Sequence, residues 1–232
     1  MRHYSEFGFA DPENAKHYAE GSPANFVPGF SIMHGLVVQL LSETAGVDGH
    51  TLVLGAGGGL ELKAFADARP DWRFTAVEPS PEMIAAAKNN LDHVADRIDW
   101  IEGYIADTPA GPFDAATCLL TLHLIPDNGA KLDALCAIRE RLKPGGAFAI
   151  VDNCLDPKDP NAKRTMDRYI AFARSNGIDE DLLEHVATTV TEKGECITAE
   201  REVALLAEAG FTDVDLFFAG LSWRGWIARR PL

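Results

Sequence analysis

The residues that most clearly predict chemistry are four glycines within five positions. Gly55, Gly57, Gly58 and Gly59, interrupted only by Ala56, follow directly after a short apolar run. A glycine-rich turn between a strand and a helix lets a ligand approach the main chain and places helix N-terminal amides beside that ligand. The run predicts a nucleotide-type cofactor site, and the alternative is a tight turn that binds nothing.

An acid at the end of the next apolar run strengthens this prediction. Glu78 lies 23 positions after Gly55, where a carboxylate can accept hydrogen bonds from both hydroxyls of a ribose. The alternative is an acid favoured by the dipole of the helix that Pro81 begins. We favour the ribose, because ligands of α/β proteins bind at the carboxyl ends of the strands.

The elements that must position these residues alternate along residues 48–153. Short apolar runs there are separated by longer, helix-like segments, a pattern typical of the α/β class with a doubly wound, mostly parallel sheet. The predicted strands are residues 51–55, 73–78, 98–102, 113–120 and 147–152. The clearest predicted helices are residues 81–95, capped by Ser80, and residues 128–142, stopped by Pro144 and Gly145.

The segments on either side of this core read mainly as helices. Near the C-terminus, residues 212–218 and 221–229 predict two strands separated only by Ala219 and Gly220, and therefore an antiparallel hairpin. The expected organisation is one domain over residues 1–232, made of an N-terminal helical cover (1–47), a cofactor-binding core (48–153), a helical substrate-side region (154–210) and a terminal β-hairpin (211–232).

Composition excludes several classes of protein. Of 232 residues, 47% are hydrophobic and 24% are charged, which predicts a folded globular chain. The net charge of −14 makes nucleic acid an unlikely partner. The four cysteines are too dispersed for a zinc site or a disulfide framework. With no signal-peptide or membrane-spanning pattern, we expect a cytoplasmic protein without membrane attachment.

The order of motifs resembles that of the class I S-adenosylmethionine-dependent methyltransferases. The motifs are GAGGG, AVEPSPEMIAAAK, WIEGY, LKPGG and the closing hairpin. The resemblance covers nearly the whole chain and implies a Rossmann-like fold and S-adenosylmethionine as cofactor. More narrowly, VPGF, EPSPEMI, LLTLHLIP, AEAGF and WRGWIAR are similar to the carboxy-S-adenosylmethionine synthase group.

This resemblance implies positions for the cofactor. It puts the methionine part against the glycine turn, the ribose on Glu78 beside Pro79, and adenine next to Tyr104 and Ile105. The full set of implied cofactor-binding residues is Phe30, Gly55, Ala56, Gly57, Gly59, Glu78, Pro79, Tyr104, Ile105 and Leu119.

The chain departs from the family pattern at several of these positions. Val53 replaces an aspartate before the glycine turn, and Phe30 replaces a tyrosine. Tyr104 replaces the carboxylate that accepts the adenine amine, a role that Asp107 could take over. Leu119 replaces an asparagine, so that only its main chain could contact the ligand.

One departure changes the predicted reaction. The synthase group uses an arginine to hold the additional carboxylate of its product, and residues 177–194 of this chain contain none. Lys193 would supply only a flexible point charge. We therefore exclude carboxy-S-adenosylmethionine synthesis and expect in-line transfer of a methyl group to a small acceptor, which needs positioning more than a particular catalytic side chain.

The acceptor pocket is predicted from aromatic and polar residues near the same edge. His123 is a candidate general base for an alcohol or amine acceptor, and a packed histidine is the alternative. Asp152 and Asn153 resemble part of a magnesium site, but Thr121, Leu122 and His123 stand where another carboxylate is needed, so we expect no metal. The predicted lining residues are Tyr18, Phe26, His123, Asp152, Asn153, Phe217 and Trp223.

Other functions stay open at this stage. The departures from the family pattern would suit a methyltransferase-like protein that binds a ligand without catalysis, and the narrower resemblance suggests a tRNA-modification enzyme. An NAD-dependent oxidoreductase is disfavoured because Leu60 occupies the position of a small residue in the dinucleotide fingerprint. A homodimer is compatible with the sequence.

Overall fold

The computed structural model of the protein describes residues 8–232, and the first seven residues of the expected N-terminal cover lie outside them. Seven strands form one sheet in the order β3-β2-β1-β4-β5-β7-β6. The first five strands pair in parallel, whereas β7 pairs antiparallel with β5 and β6. The predicted doubly wound sheet with a C-terminal hairpin is confirmed. The strands are β1 (His50–Leu54), β2 (Arg73–Glu78), β3 (Ile98–Glu102), β4 (Phe113–Leu119), β5 (Leu142–Asn153), β6 (Thr212–Gly220) and β7 (Trp223–Arg229).

Eight α-helices flank the sheet within the described residues. Two precede β1, three follow within the core, and three form the helical region after β5. They are α1 (Pro12–Ala19), α2 (Phe30–Ala45), α3 (Leu60–Ala68), α4 (Pro81–Asn90), α5 (Ala130–Arg141), α6 (Ala162–Ser175), α7 (Glu180–Glu192) and α8 (Ala199–Glu208). None of these helices is long and apolar enough to cross a membrane.

The central strands are apolar because both of their faces are covered. Val53, on the face towards α2 and α3, is buried in a cluster with Phe65 and Trp72. Its neighbour Leu52 belongs to the cluster on the opposite face, with Leu135 of α5 and others from α8. Strands buried on both faces lack polar alternation, and their carboxyl ends share one edge of the sheet.

Several predicted boundaries differ from the structure. The helix predicted over residues 81–95 ends at Asn90, and a separate 3₁₀ segment, Asp92–Arg97, leads into β3. The LKPGG motif begins β5 instead of ending a helix. In the pairing of β4 with β5, Phe113 lies opposite Leu142, and the next pair is Ala115 with Ala147. The residues of β5 between these pairs form a bulge that contains Pro144, which has no N–H to donate to a neighbouring strand.

The hairpin turn lies two residues later than predicted. Gly220 still pairs with Trp223, which leaves Leu221 and Ser222 as the turn. Leu221 has φ 55°, a left-handed conformation that matches the twist of a hairpin with a two-residue turn. Glycine or asparagine usually occupies such a position, so the sequence did not indicate a turn at this leucine.

Candidate functional site

The glycine turn connects β1 to α3 and leaves its main chain bare. Gly55 has φ +74°, and a Cβ added there would lie 2.1 Å from Oγ1 of Thr121. Gly57 has φ +51°, and the ring of Tyr18 lies 3.2 Å from the position its Cβ would take. Larger residues would therefore clash and strain the turn. Both glycines allow other groups to reach the main chain.

Glu78, at the end of β2, joins the turn to the start of α4. Its side chain is fully buried. Its Oε2 accepts a hydrogen bond from the Gly57 amide at 2.8 Å, and its Oε1 accepts one from the Ser80 amide at 3.0 Å. These two bonds tie the carboxylate to the glycine turn and to the start of α4. The geometry fits the role predicted for this acid.

A cavity of about 380 Å³ opens beside Glu78, and we call it the α5 cavity. Gly55, Pro79, Tyr104 and Ile105 line one wall, and the opposite wall is the face of α5 that carries Ala134 and Ala137. Its size falls within the range of small-molecule sites. Four predicted cofactor residues therefore meet at one largely apolar cavity that could hold an adenine ring.

Two other predicted residues lie on the other side of the turn. Phe30 and Leu119 line a cleft of about 10 Å³ next to Gly55 and Ala56, which we call the glycine-turn cleft. Tyr18, predicted to line the acceptor pocket, also lies here. Burial, together with the nearby charges of Glu61 and Glu78, raises the pKa of the Tyr18 hydroxyl. Tyr18 therefore covers the predicted cofactor site.

Glu61 is an acidic residue of this cleft that sequence reasoning missed. It is 6% exposed, and its Oε1 accepts a hydrogen bond from Thr117 Oγ1 at 2.7 Å. Its second oxygen accepts no hydrogen bond from any residue in the range 8–232. Burial raises the pKa of Glu61 to about 8. A buried carboxyl with a free oxygen is suited to a cationic ligand group. The sequence contained a signal for this burial, because Glu61 lies four residues before Phe65 and so shares the apolar face of α3 with it.

Two residues for which the resemblance implies a cofactor role also have structural roles. A Cβ on Gly59 would lie 2.7 Å from Leu91, so this glycine allows α3 to approach that leucine, which follows α4. Asp107, the candidate partner for adenine, accepts a hydrogen bond from the Tyr104 amide at 2.8 Å. Its carboxylate therefore caps its own turn.

A histidine–carboxylate pair lies where β4 and β5 end. Nδ1 of His123 forms a short contact with Oδ1 of Asp152, and the His123 amide donates to the same oxygen at 3.0 Å. Asp152 is 1% exposed and His123 is partly exposed. The other ring nitrogen, Nε2, has no hydrogen-bond partner within the described chain. A neutral imidazole held through Nδ1–H presents the Nε2 lone pair as a proton acceptor.

Aromatic residues surround this pair. The Trp223 ring lies 5.6 Å from the His123 ring in an edge arrangement, and its Nε1 donates to the carbonyl of Phe26 at 3.1 Å. Asn153 pairs with Trp223 across the sheet, and its buried Oδ1 has no described partner. Five predicted lining residues thus meet here. Phe217 packs over Gly225 on the face of the sheet, against the same apolar cluster as Trp223 and Phe26.

Two further buried charges lie behind Asp152. Lys131 is fully buried and donates to the carbonyl of Leu122 at 2.7 Å. Glu202 of α8 is also fully buried, and neither of its oxygens has a partner among the described residues. Burial and the charge of Asp152 raise the pKa of Glu202 to about 8. Lys131 lies four residues before Leu135 on α5, and Glu202 lies four residues before Leu206 on α8. This spacing places each charged residue on the apolar face of its helix, and it could have predicted their burial from the sequence.

No group of three histidine, cysteine or acidic side chains suited to a metal ion occurs among residues 8–232. Asp152, the predicted lining acid that most resembles a metal ligand, is engaged by His123 through two hydrogen bonds. The pairing of His123 with Asp152 is suited to proton transfer.

A family comparison agrees with this geometry. Residues 52–148 match the model of a methyltransferase domain, which spans β1 to the first half of β5. The match includes the glycine turn, Glu78 and the His123 segment.

Individual relatives extend the comparison. The chain is 28% identical to the carboxy-S-adenosyl-L-methionine synthase of Chromohalobacter salexigens, over 87% of this chain and 76% of that protein. It is 42% identical to the ubiquinone biosynthesis O-methyltransferase of Xylella fastidiosa strain 9a5c, over 43% of this chain and only 39% of that protein.

A solved structure supports the fold independently. Human N-acetylserotonin methyltransferase in complex with S-adenosylmethionine superposes with a TM-score of 0.60 at 19% identity, covering 96% of this chain and 57% of that protein. At this identity the likeness concerns the fold alone. Taken with the domain match and the relatives, the glycine turn, the buried acid after β2 and the sheet order support a class I S-adenosylmethionine-dependent methyltransferase.

Proposed function

We propose that the protein transfers the methyl group of S-adenosylmethionine to a hydroxyl oxygen of a small, partly apolar molecule, with His123 as general base. The observation that carries this proposal is the contact of His123 Nδ1 with the buried Asp152 at the carboxyl edge of the sheet. The similarity to a ubiquinone biosynthesis O-methyltransferase supports oxygen as the acceptor atom.

The cofactor is assigned to the two cavities that meet at Gly55. In the proposal, Glu78 binds the ribose hydroxyls and the α5 cavity takes adenine against Tyr104 and Ile105. The methionine part lies along the glycine turn, where the free oxygen of Glu61 accepts a hydrogen bond from the ammonium group of the cofactor. This assignment gives the buried carboxyl of Glu61 a hydrogen-bond partner. It also supplies the acidic group that is missing at Val53, where the family pattern has an aspartate.

The cofactor, when bound, supplies a methyl group already activated by its positive sulfur. The protein's residues then have three tasks. Asp152 fixes the imidazole of His123 and its tautomer, Nε2 of His123 removes the proton of the acceptor hydroxyl, and Trp223 excludes water from that side. General base catalysis of this kind contributes about 10²- to 10⁴-fold to a rate.

The size and polarity of the acceptor follow from its surroundings. Phe26 and Trp223 are aromatic, Leu122 beside His123 is apolar and buried, and the net charge of −14 opposes binding of a polyanion. These features favour a small aromatic or aliphatic alcohol over tRNA. They also favour an enzyme over a binding protein without activity, because a sensor has no use for a base held by a buried acid.

The relationship to carboxy-S-adenosylmethionine synthases does not extend to their reaction in this proposal. The stretch that should supply the carboxylate-binding arginine forms α7 and its flanking turns, and it contains no arginine. The proposal further treats residues 1–232 as one methyltransferase domain. It includes a cytoplasmic location and allows a homodimer.

The test is methyl transfer from isotopically labelled S-adenosylmethionine to a panel of phenols, catechols and aliphatic alcohols, with amines as comparison. The wild-type protein should label at least one hydroxyl acceptor. His123→Gln should reduce that rate about 10²- to 10⁴-fold while S-adenosylhomocysteine binds in calorimetry as in the wild type. His93→Gln, which changes an exposed histidine, is the matched control and should behave as the wild type.

Two outcomes would contradict the proposal. If His123→Gln transferred methyl groups at the rate of the control, the base would be elsewhere or unnecessary. If only amines or a tRNA were labelled, the acceptor class would be wrong even though the cofactor assignment would stand.

A further inference from the structure

A second cavity lies beyond the ends of β5 and β7, and it is lined mainly by polar residues. Its volume is about 310 Å³, and we call it the arginine cavity. Arg164 and Arg168 of α6 and Arg224 of β7 line it, together with Ser222 of the hairpin turn and Thr198, the N-cap of α8. The volume suits a small organic molecule.

The three arginines have no acidic partner among residues 8–232, in contrast to two arginines elsewhere on the helices that follow β5. Arg201 pairs with Asp127 at 2.9 Å, and Arg174 pairs with Glu180 at 2.6 Å. By contrast, within the described residues Arg164, Arg168 and Arg224 form no ion pair. Arg224 donates only to the carbonyls of Leu221 and Trp223, and Arg164 only to the amide oxygen of Asn161.

The arrangement of these arginines brings their charges together. Arg164 and Arg168 are four residues apart on α6 and so lie on the same helix face. In a protein with 35 acidic and 21 basic residues, three unpaired guanidinium groups around one cavity leave a local excess of positive charge. Such groups bind carboxylate or phosphate oxygens through paired N–H donors.

An independent observation points to a ligand. Ser222 is 3% exposed, and its hydroxyl has no hydrogen-bond partner in the part of the chain that the structure describes. A buried polar group without a partner costs free energy unless a ligand or water satisfies it. The first turn of α8 also faces the cavity through Ala199 and Glu200, which adds unpaired amides at the positive end of a ten-residue helix.

Two acids at the same cavity refine the ligand chemistry. Asp159 accepts a hydrogen bond from the Asn161 amide at 2.6 Å, and Glu200 is exposed in the first turn of α8. With two acids beside three arginines, the cavity can receive donors such as hydroxyl groups in addition to an anion. The number of donors exceeds what the two oxygens of one carboxylate can accept, which favours phosphate.

We propose that the arginine cavity binds the phosphate group of a small, hydroxyl-bearing phosphate ester. The site is separate from the methyl-transfer site. None of the residues that line the arginine cavity is among those assigned to the cofactor or to the acceptor. The inference therefore does not depend on the proposed methyl transfer.

The test is calorimetry at constant ionic strength with glycerol 3-phosphate as the probe, and with inorganic phosphate, acetate and glycerol as comparisons. The wild-type protein should bind glycerol 3-phosphate, and it should bind inorganic phosphate more weakly. Arg168→Gln and Arg224→Gln should each reduce the affinity for the ester at least tenfold. Lys163→Gln removes a positive charge from the same helix outside the cavity and should leave the affinity unchanged.

Binding of S-adenosylhomocysteine, measured on every variant, reports whether the fold is intact. Because Arg168 is exposed and contacts no described acid, its substitution should leave that binding as in the wild type. The proposal is overturned if wild-type protein fails to bind glycerol 3-phosphate, if Arg168→Gln binds it like Lys163→Gln, or if acetate binds as tightly as the phosphate ester. The last outcome would assign the cavity to carboxylates.

Discussion

The two sides of the sheet edge hold their polar groups by different means. On the cofactor side, the groups are the main chain of residues 55–59, the carboxyl of Glu61 in the first turn of α3, and Glu78, which accepts hydrogen bonds from amides within 21 positions. On the acceptor side, the groups are side chains of His123, Asp152 and Glu202, which come from three different parts of the chain. A site made of main chain tolerates change in most side chains, whereas a site made of buried charges depends on each of them.

The largest effect is expected where the main chain itself is the site. Gly55→Ala should abolish binding of S-adenosylhomocysteine and lower the free energy of unfolding by roughly 3 kcal/mol, because left-handed strain adds to a clash with Thr121. Calorimetry and denaturant unfolding measure the two effects. Gly177→Ala is the matched control, since Gly177 also has a positive φ but has open space around it. It should cost only about 1 kcal/mol. If both variants lost the same free energy of unfolding, the close approach of Thr121 to Gly55 would not be the cause of the loss.

Glu78→Gln tests the carboxylate assigned to the ribose. The affinity for S-adenosylhomocysteine should fall by about 1.5–3 kcal/mol, roughly 10- to 100-fold, because an uncharged amide accepts fewer and weaker hydrogen bonds. The control is Glu102→Gln, which changes an exposed carboxylate at the paired position of β3. An unchanged affinity in Glu78→Gln would exclude the ribose role.

Glu61→Gln separates the two halves of the cofactor. S-adenosylhomocysteine should bind about tenfold more weakly, whereas 5′-methylthioadenosine, which has no amino-acid portion, should bind as before. Since burial raises the pKa of Glu61 to about 8, binding of an ammonium group near pH 7 should also release a proton from the wild type. The heat of binding would then vary with the ionisation enthalpy of the buffer. Equal losses for both ligands would indicate a structural role only.

The last prediction concerns the pH dependence of stability and the buried acid on the acceptor side. The folded protein retains the proton of Glu202 up to a pKa of about 8, whereas the unfolded chain loses it near 4.5. Glu202 therefore stabilises the fold most below pH 4.5, and this contribution is lost as the pH rises to about 8. Glu202→Gln should reduce the decline in unfolding free energy over that interval. Glu200→Gln, an exposed change on the same helix, should leave the slope unaltered, and identical slopes in both variants would refute the assignment.

Local sequence predicted the cofactor side well. The strands β2 and β3 were predicted at their observed bounds, and the glycines and Glu78 stand close enough in sequence for a strand–turn–helix pattern to place them. The prediction failed where pairing partners decided the outcome. The LKPGG segment joined β5 because Phe113 and Ala115 were available as partners, and the hairpin turn moved because Gly220 pairs with Trp223.

By itself, the sequence determined the α/β class, the order of the parallel strands' motifs, and the presence of a bare main-chain turn followed by an acid, since these depend on neighbours within a few tens of residues. Only the tertiary structure decided that Asp152 holds His123, that Glu61 keeps a free oxygen beside the turn, and that three arginines from α6 and β7 share a cavity. Such groups bring together residues up to 60 positions apart in the chain. No local pattern records which distant side chains will be removed from water together.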